Sequence, residues 1–185
     1  PVREVYKRCK VSADKGTRLK ARLIEQGFLT EVEVPLQAKG RASKLLVCTR
    51  QGLEKVGLPP RAGKGGALHQ HLQRLIAGAA AQQGYRATVE AGGADGKAVD
   101  VCLERDGRRI AVEISVTTRA PDEVHNIVAD LGAGYAAVVV LFVDLTTCAA
   151  TQRLLQERGE RAQSAAVHCG LVKDYAAVLK QAEGG

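Results

Sequence analysis

The sequence predicts an α/β protein in two parts, a small basic module of helices around a hairpin and a larger mixed-sheet domain with the element order αβββαβαβα. Three observations carry that expectation. Residues 1–66 hold 15 Lys/Arg against 6 Asp/Glu and residues 67–185 hold 12 against 14, so the whole positive excess of the +7 chain lies at one end. Leu58-Pro59-Pro60-Arg61-Ala62-Gly63-Lys64-Gly65-Gly66 has the proline and glycine density of a linker, in which neither helix nor strand continues easily. Beyond it, the apolar pattern passes from helical spacing to alternating runs, after which strands and helices follow one another. The expected division is 1–58 for the basic module, 59–66 for the linker and 67–185 for the α/β domain.

In the first part, Val2 to Cys9 is too short a run to assign. Ser12 to Gly27 reads as a helix, with Ser12 or Asp14 placed to cap its start and Gly27 to end it. Leu19, Leu23 and Ile24 fall on one face, which is expected to pack, and Lys15, Arg18, Lys20 and Arg22 populate the rest. Phe28 to Val34 and Lys44 to Thr49 read as strands on either side of a loop, Pro35 to Ser43, that carries Lys39, Gly40 and Arg41. Thr49 then caps a short helix, Gln51 to Val56, stopped by Gly57 and Pro59.

Clustered cations of this kind suit a polyanion, because neutralising adjacent phosphates releases their counterions. The order helix, hairpin with a cationic tip, helix resembles the C-terminal two-thirds of a winged helix-turn-helix over residues 2–57. That resemblance implies DNA as the partner, Thr17 to Gln26 as a recognition helix and Lys39 to Arg41 as a wing, with Lys15, Arg18, Arg22, Lys39, Arg41 and Lys44 as the DNA contacts. The plainer alternative is a basic surface serving solubility or protein contacts.

The second part opens with a helix from Ala67 to Gln83, apolar at Leu68, Leu72, Leu75 and Ile76 and stopped by Gly84. Strands follow at Tyr85 to Glu90, Ala98 to Leu103 and Arg109 to Thr117, the last two joined by Arg105-Asp106-Gly107-Arg108, where Asp-Gly accepts positive φ cheaply. Then come a helix at Asp122 to Leu131, a buried strand at Ala136 to Val143, a helix at Thr151 to Arg158, a short strand at Ala165 to His168 and a last helix at Lys173 to Ala182. Antiparallel strands early and helix-linked strands late imply a mixed sheet with helices on both faces.

Asp100 and Glu113 stand out in that layout, each a carboxylate embedded in an apolar strand and separated from the other by a short hairpin. Buried acids are costly unless compensated, and a divalent cation would neutralise both while taking a phosphate oxygen and water as further ligands. The helix, the strand with Asp100, the hairpin and Val112-Glu113-Ile114-Ser115 resemble the core of the restriction-endonuclease-like superfamily, PD-(D/E)xK, over residues 67–145, and most of all its resolvase-like versions that accompany winged helices or DNA-pumping ATPases. The resemblance implies Asp100 and Glu113 as ligands of magnesium or manganese, with Glu90 as a third carboxylate. It departs where Ser115 stands in place of the motif lysine, and Lys97 or Arg119 is then the candidate cation for the developing charge.

Three readings follow: a metal-dependent DNA endonuclease, a degenerate DNA-holding domain of a larger DNA-processing ATPase, or a winged-helix regulator with a C-terminal sensing or dimerisation domain, for which a homodimer is expected. The structural alternative for the acids is pairing with Arg108 or Arg109.

Other chemistry is excluded or demoted. Gly96-Lys97 and Gly63-Lys64 lack the glycine spacing and the Ser/Thr of a phosphate-binding loop. The five cysteines are scattered and form no Cys-x-x-Cys pair, which speaks against a disulfide framework or zinc ribbon. His69 and His71, two apart on a helix, point in different directions, so His69 is expected at most to touch phosphate. His125 and Asn126 are placed near the cleft, and His168-Cys169 has no nucleophile-base context. A 3% aromatic content disfavours base stacking on single strands. No apolar run reaches membrane-spanning length and no signal peptide opens the chain, so a cytoplasmic protein without a membrane partner is expected. A chain that opens on Pro1 and holds no methionine reads as a piece of a longer polypeptide.

Overall fold

A computed structural model describes residues 2–35, 43–59, 65–92, 98–157 and 166–183. These fall into two compact units, Pro1–Leu68 and His69–Gly185. Among the described residues, no helix is long and apolar enough to cross a membrane.

The first unit contains α1 (Val2–Arg8), α2 (Ala13–Glu25), β1 (Leu29–Val34), β2 (Ser43–Cys48) and α3 (Arg50–Lys55). Ser12 is the N-cap of α2, its Oγ accepting from the Lys15 N–H at 3.4 Å, and Gly27 leaves the helix at φ +73. β1 and β2 pair antiparallel from Leu29–Cys48 to Val34–Ser43. Thr49 closes the unit twice over, since its Oγ1 donates to the Gly27 carbonyl at 2.6 Å and accepts from the Gly52 N–H at 3.0 Å to cap α3. A lysine pair holds α2 and β2 to β1: Lys20 Nζ and Lys44 Nζ lie 2.6 and 2.9 Å from the two oxygens of Glu31.

One expectation fails in this unit. Leu19, Leu23 and Ile24 are not buried; they are 42%, 36% and 36% exposed, and the buried position of α2 is Gly16, seated against the Tyr6 ring. The cause is size, because Val34 and Val47 are the buried apolar side chains among the unit's described residues, and so small a core cannot cover a whole helix face.

The second unit is built on a five-stranded mixed sheet in simple sequential order, β3 (Arg86–Gly92), β4 (Ala98–Arg105), β5 (Arg108–Ser115), β6 (Ala137–Phe142) and β7 (Val167–Leu171). The first three strands pair antiparallel and the last three parallel. Asp106 and Gly107, both at positive φ, form the two-residue turn of the β4–β5 hairpin. Around the sheet lie α4 (Ala67–Gln82), α5 (Ala120–Gly132), α6 (Leu145–Glu157) and α7 (Tyr175–Glu183), the last preceded by a 3₁₀ turn at Val172–Asp174. This is the expected element order, with one helix longer than foreseen: α6 begins six residues before Thr151, where Asp144 Oδ1 accepts from the Thr147 N–H at 2.8 Å.

Val124 and Ile127 of α5 and Cys148 and Leu155 of α6 join Cys102, Ala111, Val138, Val140 and Phe142 in one core. The alternate strand residues Val101, Leu103, Ile110, Val112, Ile114, Val139 and Leu141 are equally buried, so the opposite face of the sheet is covered too. Gly170 of β7 lets α7 approach there; a Cβ would overlap Val178 Cγ2. At the turn end of the hairpin, Glu183 of α7 takes the Tyr85 hydroxyl at 2.8 Å and Arg105 Nη2 at 3.2 Å, while Arg108 Nη1 donates to its carbonyl at 3.3 Å.

Two glycine substitutions test this packing in opposite directions. A Cβ on Gly52 would overlap the Phe28 carbonyl oxygen, whereas one on Gly78, exposed in the middle of α4, meets nothing within 4 Å. Gly52→Ala is expected to destabilise the first unit by about 3 kcal/mol and Gly78→Ala to stabilise the second by up to about 1 kcal/mol, both read from chemical denaturation. A neutral Gly52→Ala would show that the Thr49 junction is looser than described.

A candidate acidic site where two strands part

Asp100 sits where β4 and β5 separate. Their ladder ends at Val101–Val112, and one step further Asp100 and Glu113 would face each other. Instead of a backbone partner, the Ile114 N–H donates to Asp100 Oδ2 at 2.8 Å. Val99 and Cys102 both belong to the core under α5, although strict alternation would send only one of them there, so β4 is irregular at Asp100. On the neighbouring strand the register passes from Val89–Val101 to Ala91–Val99, and the residue skipped, Glu90, has φ +52. A left-handed non-glycine residue inside a strand costs about 1–2 kcal/mol, and such strain gathers at sites with a function.

The Asp100 carboxylate is held from α4 as well. His69 Nε2 lies 2.8 Å from Oδ1 and Gln73 Nε2 donates to the same oxygen at 3.2 Å, with the Asp100 side chain only 12% exposed. His69 is thus a partner of the candidate ligand rather than a phosphate contact. The signal was present in the sequence: His69 and Gln73 are four apart, on one helix face with Leu72 and Ile76. The hydrogen bond to Asp100 raises the His69 pKa above its ordinary value against the opposing effect of burial, with the charges of Asp100, Glu90 and Glu123 adding to it.

Glu113 is half-buried, and two acids of α5 missed in the sequence reading act on it. Burial, then the charges of Asp100, Asp130 and Glu123, push its carboxyl up to about 10. Glu123 and Asp130, 1% and 8% exposed, lie with Ile127 on the inward stripe of α5 at positions i, i+7 and i+4. Burial also raises Glu123, against the lowering effect of Ser115 and Thr118. His125 is exposed and Asn126 half-buried, outside that stripe.

The basic residues near in sequence are occupied elsewhere. Arg108 is on Glu183, Arg109 lies over the Tyr135 ring at 4.5 Å, and Arg119, 82% exposed, pairs with Asp122 at 3.0 Å. The pairing of the acids with Arg108 or Arg109 is therefore not what compensates them, and Arg119 does not turn inward. Lys97 lies outside the described residues, as do Lys39 and Arg41. In the first unit Lys15, Arg18 and Arg22 stand exposed along one stripe of α2, whereas Lys44 shares Glu31 with Lys20.

Comparison with known proteins gives no match. No family model, curated protein or solved structure matches the chain. What the site can do rests on its own chemistry. Among the described residues no three His, Cys, Asp or Glu side chains converge as ligands of one cation. Magnesium, however, is commonly held by one or two carboxylates, with water and phosphate oxygens completing its shell. Asp100 and Glu113 fit that donor set, since three of the roughly four acceptor positions of Asp100 are taken and one is left.

The raised Glu113 predicts a pH dependence in metal-free buffer. An acid that ionises near 4.5 when unfolded and near 10 when folded keeps its proton longer in the folded state, so its contribution is complete below pH 4.5 and is lost as pH rises toward 10. Between pH 5 and 9 the wild type should lose stability as pH rises, and Glu113→Gln should flatten that slope. Parallel curves for the two proteins would mean that Glu113 ionises normally.

Proposed function

We propose that the chain is a DNA-binding protein whose second unit is a restriction-endonuclease-like, metal-dependent endonuclease, hydrolysing phosphodiester bonds of duplex or branched DNA. One observation carries the reading: Asp100 and Glu113 come together from adjacent strands at the open end of a hairpin, with no described lysine or arginine compensating them. Carboxylates placed so must share a proton or a cation, and a cation is what phosphodiester hydrolysis needs.

In this reading Asp100 and Glu113 hold magnesium or manganese. The bound ion supplies positive charge to the phosphate and lowers the pKa of a water. His69, Gln73 and the Ile114 N–H fix the orientation of Asp100, the outer-shell role that ligating carboxylates need. With Ser115 at the lysine position and Arg119 paired to Asp122, the charge-stabilising role passes to Lys97. The first unit acts as the winged-helix-like DNA-holding part: Lys15, Arg18 and Arg22 on α2, with Lys39, Arg41 and Lys44 from the hairpin, meet phosphates.

A second reading keeps the DNA binding and drops the cleavage. Ser115 and the hold of His69 on Asp100 favour a catalytically silent targeting domain that works with a DNA-pumping ATPase. Cleavage assays separate the two. On linear, supercoiled and four-way-junction DNA with magnesium or manganese, the nuclease reading expects cutting that Asp100→Asn abolishes, by at least a hundredfold, while DNA affinity stays equal or rises. Absence of cleavage by the wild type on every substrate would leave the targeting reading.

The DNA-binding part has its own test. Arg18→Ala with Arg22→Ala should weaken binding at least tenfold and reduce the salt slope by about two without lowering the melting temperature, because both side chains are exposed. Unchanged affinity would remove α2 as the contact.

A further inference from the structure

The first unit has little of what ordinarily holds a domain together. Among its described residues Val34 and Val47 are the buried apolar side chains, while Val5, Leu19, Leu23, Ile24, Val56 and Leu58 stay exposed. A domain of roughly 60 residues is marginal even with a full core. α2 shows the consequence: of Ala13–Glu25, only Gly16 and Lys20 are not exposed, so the helix rests on the Tyr6 ring and on Glu31. Its 13 residues do not keep a helix folded in water unaided.

Charge works against this unit as well. Residues 1–66 hold 15 Lys/Arg against 6 Asp/Glu, and so large an excess of one sign repels itself in the compact state. Even where its cations are paired they outnumber the acid, since Lys20 and Lys44 share the single carboxylate of Glu31 at 2.6 and 2.9 Å. Lys15, Arg18 and Arg22 stand exposed on α2. What the fold lacks is negative charge, and a DNA duplex supplies it as closely spaced phosphates. The second unit is the contrast, near neutral and with every residue of β6 buried.

We infer that the first unit is conditionally stable: on its own it opens as a whole far more readily than the second, and DNA is the ligand that holds it folded. The identity of that ligand rests on the DNA-binding reading. A ligand that binds only the folded form raises its stability. The linkage also runs the other way, so that loosening the free unit lowers its affinity for DNA without touching a DNA contact. Folding of the first unit and binding of the duplex then make up one equilibrium.

The test is hydrogen exchange read by mass spectrometry on the full chain in metal-free buffer, with and without a saturating short DNA duplex, while fluorescence anisotropy follows binding. Without DNA, peptides covering β1, β2 and α3 should exchange about a hundredfold faster than those covering β4 to β6. With DNA they should slow together by about tenfold or more, the buried Val34 and Val47 included, and β4 to β6 should stay as they were. Gly52→Ala, at a buried position where a Cβ would overlap the Phe28 carbonyl oxygen, should bind the duplex about tenfold more weakly than wild type. Three outcomes overturn the inference and leave the DNA reading standing: a first unit as protected as β4 to β6 without DNA, a DNA effect confined to α2, or wild-type affinity in Gly52→Ala. A wild type that does not bind the duplex removes both.

Discussion

The Asp100 carboxylate occupies the place where a backbone carbonyl would have continued the β4–β5 ladder, and the arrangement of the second unit follows from that substitution. Because Ile114 gives its N–H to a side chain, the strands can part without leaving a buried donor unmade. Because His69 and Gln73 reach the same carboxylate, α4 is registered against the parted end. The opposite end of the hairpin shows the contrast: a tight Asp-Gly turn, a complete ladder and the Tyr85, Arg105 and Arg108 contacts to Glu183 anchor it. One end is closed for stability and the other is held open around charge.

That charge is the expensive part of the structure. Burial and the charges of Asp100, Asp130 and Glu123 oppose the ionisation of Glu113, and burial with the charges of Asp100 and Asp130 opposes that of Glu123. A domain retains such a cluster at the expense of stability. The first unit presents the complementary case, with an exposed cationic stripe on α2 and a core too small to bury the neighbouring Leu19, Leu23 and Ile24.

Most of the fold was legible in the sequence because its punctuation is local. Ser12, Gly27, Thr49, Gly84 and Asp106-Gly107 mark where elements begin or end, and the structure uses each of them. The start of α6 was placed too late, at Thr151, although Asp144 with Thr147 three residues on is the capping pair. The site was legible only in part. Asp100 and Glu113 are conspicuous as acids in apolar strands, and their meeting needed only the short hairpin between them. Glu123 and Asp130 were not found, and His69 was expected on phosphate rather than on Asp100, since on a helix an acid or histidine at an inward position looks like any surface residue until the apolar stripe is counted against it. The packing of α2 was misjudged for another reason: periodicity says which side chains share a face but not whether anything lies opposite.

The central claim is that Asp100 and Glu113 together form a cation site. It is tested most directly by a crystal structure of the full chain grown with manganese, using the anomalous signal of the metal. The account predicts a peak within about 2.3 Å of oxygens from both carboxylates, with His69 still on the other side of Asp100. Saturating manganese with no peak there, or a peak that leaves Glu113 uncoordinated, would contradict it.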